Sequence, residues 1–188
     1  MKRNIITDKI TGISLRKLEA KDADKMLEWM HDENVAKNYK KDFLCMTKEK
    51  VLQFISSAFS ERSQHFAIVD SKDEYLGTIS LKNISVENGN AEYAIVIRPA
   101  KQHGGVGSVA TRLVLEYAFA ELRLHKVYLN VPGRNAAAIQ FYEKCGFIYE
   151  GTFKQHLMLN GKYHDLSWYG IVSTDFLDGR RERRKDEM

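Results

Sequence analysis

The sequence predicts a mixed α/β domain. Strand-like runs alternate with segments whose apolar residues recur at helical spacing,. A glycine-rich loop joins one such strand to one such helix, and Asn160-Gly161 separates two strand-like runs near the end, a strong hairpin signal,.

Taken in order, Ile13, Leu15 and Leu18 alternating with Arg16 and Lys17 read as a first strand,. Asp22 then caps a helix with Ala23, Met26, Leu27 and Met30 on one face,. A second helix starts at the cap Thr47, with Lys50 where a capping box would place an acid, and buries Val51, Leu52, Ile55 and Phe59,. His65 to Val69, Tyr75 to Leu81 and Ala91 to Ile97 read as strands divided by polar turns,. After the glycine loop, Val106, Val109, Ala110, Leu113, Val114 and Tyr117 mark a helix ending near Leu122. Lys126 to Val131 is a strand, and Asn135 caps a helix carrying Ala138, Phe141, Tyr142 and Cys145 that Gly146 ends,.

Apolar residues make up 44% and charged residues 29%, the composition of an ordinary globular chain,. The net charge is +4, but the stretch Arg180 to Glu187 holds five basic and three acidic residues, so the body is nearly balanced. That balance argues against a nucleic-acid partner, which would need a basic face. No run approaches the ~18 apolar residues of a membrane span or the pattern of a signal peptide, so no membrane partner and a cytoplasmic location are expected. Cys45 and Cys145 form no disulfide framework, and no Cys/His spacing suits a metal; His31, His156 and His164 are scattered,. The expected organisation is one domain over residues 1–177, followed by a basic disordered tail at 178–188.

Gln102-His103-Gly104-Gly105-Val106-Gly107-Ser108 sits between strand and helix, where backbone N–H groups and the helix dipole can hold phosphate oxygens,. No Gly-Lys-Ser/Thr follows, so it is not a P-loop, and its glycine spacing does not fit a dinucleotide fingerprint. The Gln102-x-x-Gly105-x-Gly107 pattern resembles the acetyl-CoA signature of the GNAT superfamily of N-acetyltransferases. Downstream, Asn135, Tyr142, Gly146 and Phe147 are similar to that family's N-x(6)-Y-x(3)-G-F element. The final hairpin, with Tyr163 and Trp168-Tyr169, resembles the branch of ribosomal-protein alanine and spermidine acetyltransferases.

The resemblance implies a twisted, mostly antiparallel sheet of six to seven strands, splayed between the fourth and fifth, flanked by about four helices, with acetyl-CoA in the gap. It implies acetyl-CoA contacts from the backbone of Ile95, Val96 and Ile97, from Gln102 through Ser108, and from Asn130, Asn135, Ala138, Tyr142 and Lys144. His103 and Gly104 stand where the family often has a glycine and a cation. Lys101 and Arg112 are the candidate replacements.

Acetyl transfer to an amine needs an uncharged nucleophile, so a base is useful, and Glu92 occupies the family's usual position for it. A strand-edge carboxylate facing solvent is the competing reading. Tyr142 matches the phenol that protonates the leaving thiolate, although it also falls on the apolar stripe of its helix. Cys145 reads as packing rather than as an acyl carrier.

The acceptor is expected to be a primary amine of an amino sugar, a polyamine or a protein N-terminus, with Glu28, Trp29, His31 and His156 as candidate contacts. Trp29 has two readings, pocket wall or rim packing. Near the first helix only Glu28, Asp32, Glu33 and Asp42 are available as an acidic cluster. A catalytically silent acyl-CoA-binding module is the alternative function, and a monomer or homodimer the expected assembly.

Overall fold

Short turns between neighbouring strands build most of the sheet. The computed structural model describes residues 4–37, 39, 43–159 and 161–178, so Asp42, Asn160 and the tail at 179–188 lie outside the described residues. Strands β1 (Asn4–Thr7), β2 (Ser14–Lys17), β3 (Gln64–Val69), β4 (Tyr75–Ser85) and β5 (Asn90–Ile97) pair antiparallel in succession. β6 (Lys126–Pro132) runs parallel to β5, and β7 (Ile148–Leu159) and β8 (Lys162–Val172) complete the order β1-β2-β3-β4-β5-β6-β8-β7.

Among the described residues eight strands replace the expected six to seven, and the additional one precedes the first strand read from the sequence. Its turn is held locally: the Asp8 carboxylate accepts from the N–H groups of Ile10 and Thr11 and from the Thr11 hydroxyl, and Gly12 turns the chain at φ 74°,. The expected splay between the fourth and fifth strands is therefore the β5/β6 junction.

Helices α1 (Ala23–Met30), α2 (Glu33–Ala36) and α3 (Lys48–Ser56) belong to one side of the sheet. α4 (Val106–Glu116), prolonged by a π-turn over Tyr117–Glu121, and α5 (Ala136–Lys144) cover the other. β3 shows how one strand serves both layers. Phe66 and Ile68 join the core with Leu113 and Val114, while Ala67 and Val69 join Met26, Trp29 and Val51,.

Arg16, one of the polar residues that alternate with the first strand's apolar ones, is buried. It is 0% exposed, with a two-pronged bond to Asp22 at 2.7 and 2.8 Å and a further bond to Asp73 at 2.6 Å. Its cross-strand neighbour Ala67 belongs to the α1-side core, and a cation with this many acceptors can be buried there,.

β5 and β6 pair only over Asn90–Lys126, Ala91–Val127 and Glu92–Tyr128. Beyond that rung they part. On its other edge β5 stays paired with β4 as far as Ile97, and β6 stays paired with β8 as far as Pro132. Each arm is thus held by its outer neighbour, and the divergence leaves a wedge whose floor is the Glu92–Tyr128 rung.

Candidate active site

The two arms of the wedge end at helix N-termini. β5 leads through a turn at Pro99–Lys101 and the glycine loop into α4, and β6 leads through Gly133 and Arg134 into α5. The first-turn N–H groups of each helix have no acceptor within their own helix. In α5 the Asn135 side chain takes one of them, accepting from the Ala138 N–H at 3.3 Å. In α4 the cap residue is Gly105, left-handed at φ 73°, which offers no side chain,.

The glycines of the loop differ in what they face. A Cβ on Gly104 or Gly105 would meet nothing within 4 Å, so the space over them is open. A Cβ on Gly107 would meet the Phe141 ring at 3.1 Å, so this glycine allows α5 to approach α4. His103 shares the left-handed backbone at φ 65°. Gln102 ties the loop back to the strand by donating to the Ile97 carbonyl at 3.2 Å.

Of the three β5 residues expected to offer backbone groups, the structure separates two from one. The Arg98 N–H binds Leu76 on β4 at 2.9 Å, and the Val96 carbonyl points toward Gly77 on the same strand. Alternation then turns Ile95 and Ile97 to the wedge, where their carbonyls are met by Tyr39 at 3.5 Å and by Gln102,. The side chain of Val96 packs with the α1 layer.

Glu92 stands at the wedge floor with its side chain 17% exposed. It is not a free strand-edge carboxylate: Lys82 donates to Oε1 at 2.7 Å, Asn83 to Oε2 at 2.8 Å, and Asn130 makes a long contact to Oε1 at 3.5 Å. The cross-strand rungs put Glu92, Tyr128, Asn130 and Trp168 on one face. There the rings of Tyr128 and Trp168 lie 5.8 Å apart, Trp168 and Phe153 5.5 Å, and Phe153 and His156 5.2 Å. The Trp168 Nε1 is buried without a hydrogen-bond partner among the described residues.

Tyr142 enters from α5 on the other layer, edge-on to Tyr93 at 6.0 Å and to Phe147 at 6.1 Å. Burial raises its pKa well above the ordinary phenol value, so the hydroxyl stays protonated and able to donate,. Cys145 packs against the core on the α4 side of the sheet; burial pushes its thiol pKa up, partly offset by the Thr111 and Ser108 side chains of α4,. Lys144, next to it, is exposed in the last turn of α5.

The expected acceptor contacts scatter. Trp29 is 4% exposed, packs edge-on to Phe43 and donates to the Tyr75 hydroxyl at 3.1 Å, so the pocket-wall reading gives way to core packing. Glu28 is clamped by Arg98 at 2.8 and 2.9 Å, and His31 by the Met46 carbonyl at 2.9 Å. Both are committed to the fold. His156 alone of the four joins the aromatic row on the Glu92 face. Lys101 and Arg112, the candidate replacement cations, are taken by Glu74 and by Asp8 with Glu116. Among the described residues no group of three or more His, Cys, Asp or Glu converges as a metal site would require.

The sequence offered no signal for Lys82, Asn83, Tyr39 or Arg134, because each reaches the wedge through strand register or loop placement.

Residues 13–148 match the family model described as "Acetyltransferase (GNAT) domain". The chain belongs to the GNAT family. A GNAT relative, the spermidine N(1)-acetyltransferase of Vibrio cholerae serotype O1, is 32% identical over 115 residues, covering 61% of this chain and 66% of that protein. The Escherichia coli K12 spermidine N(1)-acetyltransferase is 33% identical over 117 residues, covering 62% and 63%. The chain therefore spans just under two thirds of the length of these relatives in the aligned segment. The crystal structure of the Vibrio cholerae spermidine N-acetyltransferase in complex with CoA and spermine superposes with a TM-score of 0.81 at 26% identity, over 88% of this chain and 98% of that one. The fold expectation thus holds in class, with one more strand than foreseen.

Proposed function

We propose that this GNAT chain transfers the acetyl group of acetyl-CoA to a primary amine of a small molecule, with a polyamine first among the acceptors to test. The observation that carries the reading is the loss of β5–β6 pairing beyond Glu92–Tyr128, which leaves backbone groups of Ile95 and Ile97 facing an open wedge. An extended amide-bearing arm fits such an edge as an added strand would. The open space above Gly104 and Gly105, at the N-terminus of α4, fits a pyrophosphate held by N–H groups,. The polyamine preference is supported by the relatives named as spermidine acetyltransferases and by the spermine held in the Vibrio cholerae complex.

In this reading the amine enters on the Glu92 face and loses a proton, to Glu92 directly or through water. Its nitrogen bonds to the thioester carbon, the carbon–sulfur bond breaks, Tyr142 supplies the proton that the departing thiolate takes, and the nitrogen releases its remaining extra proton to water, from which Tyr142 is reprotonated. Asn135 shapes the turn beside the wedge by capping α5. Both substrates are present together, and Cys145, turned into the α4–α5 contact, carries no acyl group.

A thiol-release assay with spermidine, spermine, N-terminal peptides and amino sugars tests this, with mass spectrometry of the product. Acetylated amine is the expected result. Tight acetyl-CoA binding with no amine acetylated would put the silent binding module ahead.

A further inference from the structure

A second phenol reaches the wedge from the layer opposite Tyr142. Tyr39 follows α2, and its ring stands edge-on to Phe43 at 5.1 Å, which in turn stands edge-on to Trp29 at 5.3 Å. Trp29 is itself pinned to Tyr75. This row of rings, rooted in the α1-side core, aims the Tyr39 hydroxyl across β5 to within 3.5 Å of the Ile95 carbonyl oxygen. Two residues earlier, the Lys37 carbonyl accepts a bond of 2.8 Å from Arg134 on the other arm. The connection after α2 is thus tied to both arms, with Tyr39 between them.

A charge on Tyr39 would raise the pKa of Tyr142, and charges on both would raise that of Tyr93. Burial pushes Tyr39 up to about 12, so at neutral pH it is a donor,. Its contact to Ile95 is long and easily exchanged for a better acceptor.

Attack by an amine on a thioester develops negative charge at two atoms. The first is the carbonyl oxygen, as nitrogen bonds to carbon, and the second is the sulfur, as the carbon–sulfur bond breaks. One donor cannot serve both. We propose that Tyr39 is a catalytic residue that hydrogen-bonds the acetyl carbonyl oxygen as it becomes an oxyanion, while Tyr142 serves the sulfur from the other layer. The proposal rests on the acetyltransferase reading above.

Tyr39→Phe is the test, since it keeps the ring and its aromatic row while deleting the hydroxyl. A preorganised oxyanion donor typically contributes about 10²-fold or more, so kcat should fall by about that factor with the KM of acetyl-CoA and of the amine unchanged. Calorimetric affinity for CoA and the melting temperature should match the wild type. A kcat within about twofold of wild type would overturn the proposal, and so would a raised amine KM with kcat intact, which makes Tyr39 an acceptor contact. Failure of the wild type to acetylate any amine removes the acetyltransferase reading and this proposal together. An active wild type beside an equally fast Tyr39→Phe removes this proposal alone.

Discussion

Lys82 and Glu92 face each other across β4 and β5, with Nζ 2.7 Å from Oε1, on the last rung before the sheet opens. A carboxylate held this way must share its oxygen between the lysine and an incoming amine. Glu92→Gln should therefore slow turnover most at low pH, where few amine molecules are deprotonated, and recover partly as pH rises. Lys82→Met should also slow turnover, because without the lysine the carboxylate is no longer held in place at the wedge floor, and the double variant should be no slower than the worse single one. A double-mutant cycle on kcat/KM would check this, with a coupling of about 1 kcal/mol expected for residues in contact. Strict additivity would show that Lys82 does not act through Glu92.

Tyr142→Phe should lower kcat about 10²-fold with little change in CoA affinity, since it removes a proton donor and keeps the ring. The pH dependence has a definite sign. Because burial holds the phenol protonated well above its ordinary range, the deficit should stay level from neutral pH to pH 10,. A deficit that shrinks across that range would mean the wild-type phenol is ionising there.

The glycine loop separates a binding effect from a folding effect. Gly105→Asp places a charge in open space over the loop, so it should abolish acetyl-CoA binding by calorimetry at a stability cost of about 1 kcal/mol for its left-handed backbone,. Gly107→Asp would drive its side chain into Phe141 and should lower the melting temperature far more,. Unchanged CoA affinity in folded Gly105→Asp would remove the phosphate role of the loop.

Features set by neighbours in the chain were legible in the sequence, and those set by register were not. Asn135 as a cap, Gly105 as a left-handed turn and Gly146 as a helix stop depend on a few adjacent residues. The splay and the roles proposed for Glu92 and Tyr142 came only with the family motif. The Lys82–Glu92 rung stands beside a register shift within β4, between Lys82 and Ser85. Tyr39 reaches Ile95 across 56 positions, and the ring that orients it belongs to Phe43. The burial of Arg16 was not legible, because alternation does not reveal that the Asp22 and Asp73 carboxylates bind it.

His65 should govern stability in mildly acidic solution. Its ring is held by Ser80 at 2.8 Å and faces Phe54 edge-on, and burial followed by the charge of Lys82 lowers its pKa to about 4 from 6.5. The unfolded chain then binds a proton that the folded chain refuses, so the contribution is fully present above pH 6.5 and is lost as pH falls toward 4. Denaturant midpoints should drop between these pH values in the wild type, and His65→Asn should flatten the drop. An equally steep loss in His65→Asn would assign it to other groups.

Trp168 offers a test on the acceptor side. Its indole N–H is buried with no partner among the described residues, on the face that also carries Glu92 and Asn130, and such an orphaned donor ordinarily costs about 1–3 kcal/mol,. A fold that retains it gains if an acceptor supplies the missing oxygen or nitrogen lone pair, or if the amine stacks along the Tyr128–Trp168–Phe153 row,. Trp168→Phe keeps an aromatic ring and deletes the N–H, so the melting temperature should hold or rise while the amine KM rises and the acetyl-CoA KM stays fixed. Steady-state kinetics with each substrate varied in turn, beside a thermal melt, decide the matter. A fall in stability with both KM values unchanged would make the indole a packing residue, and a rise in the acetyl-CoA KM alone would move it to the other side of the wedge.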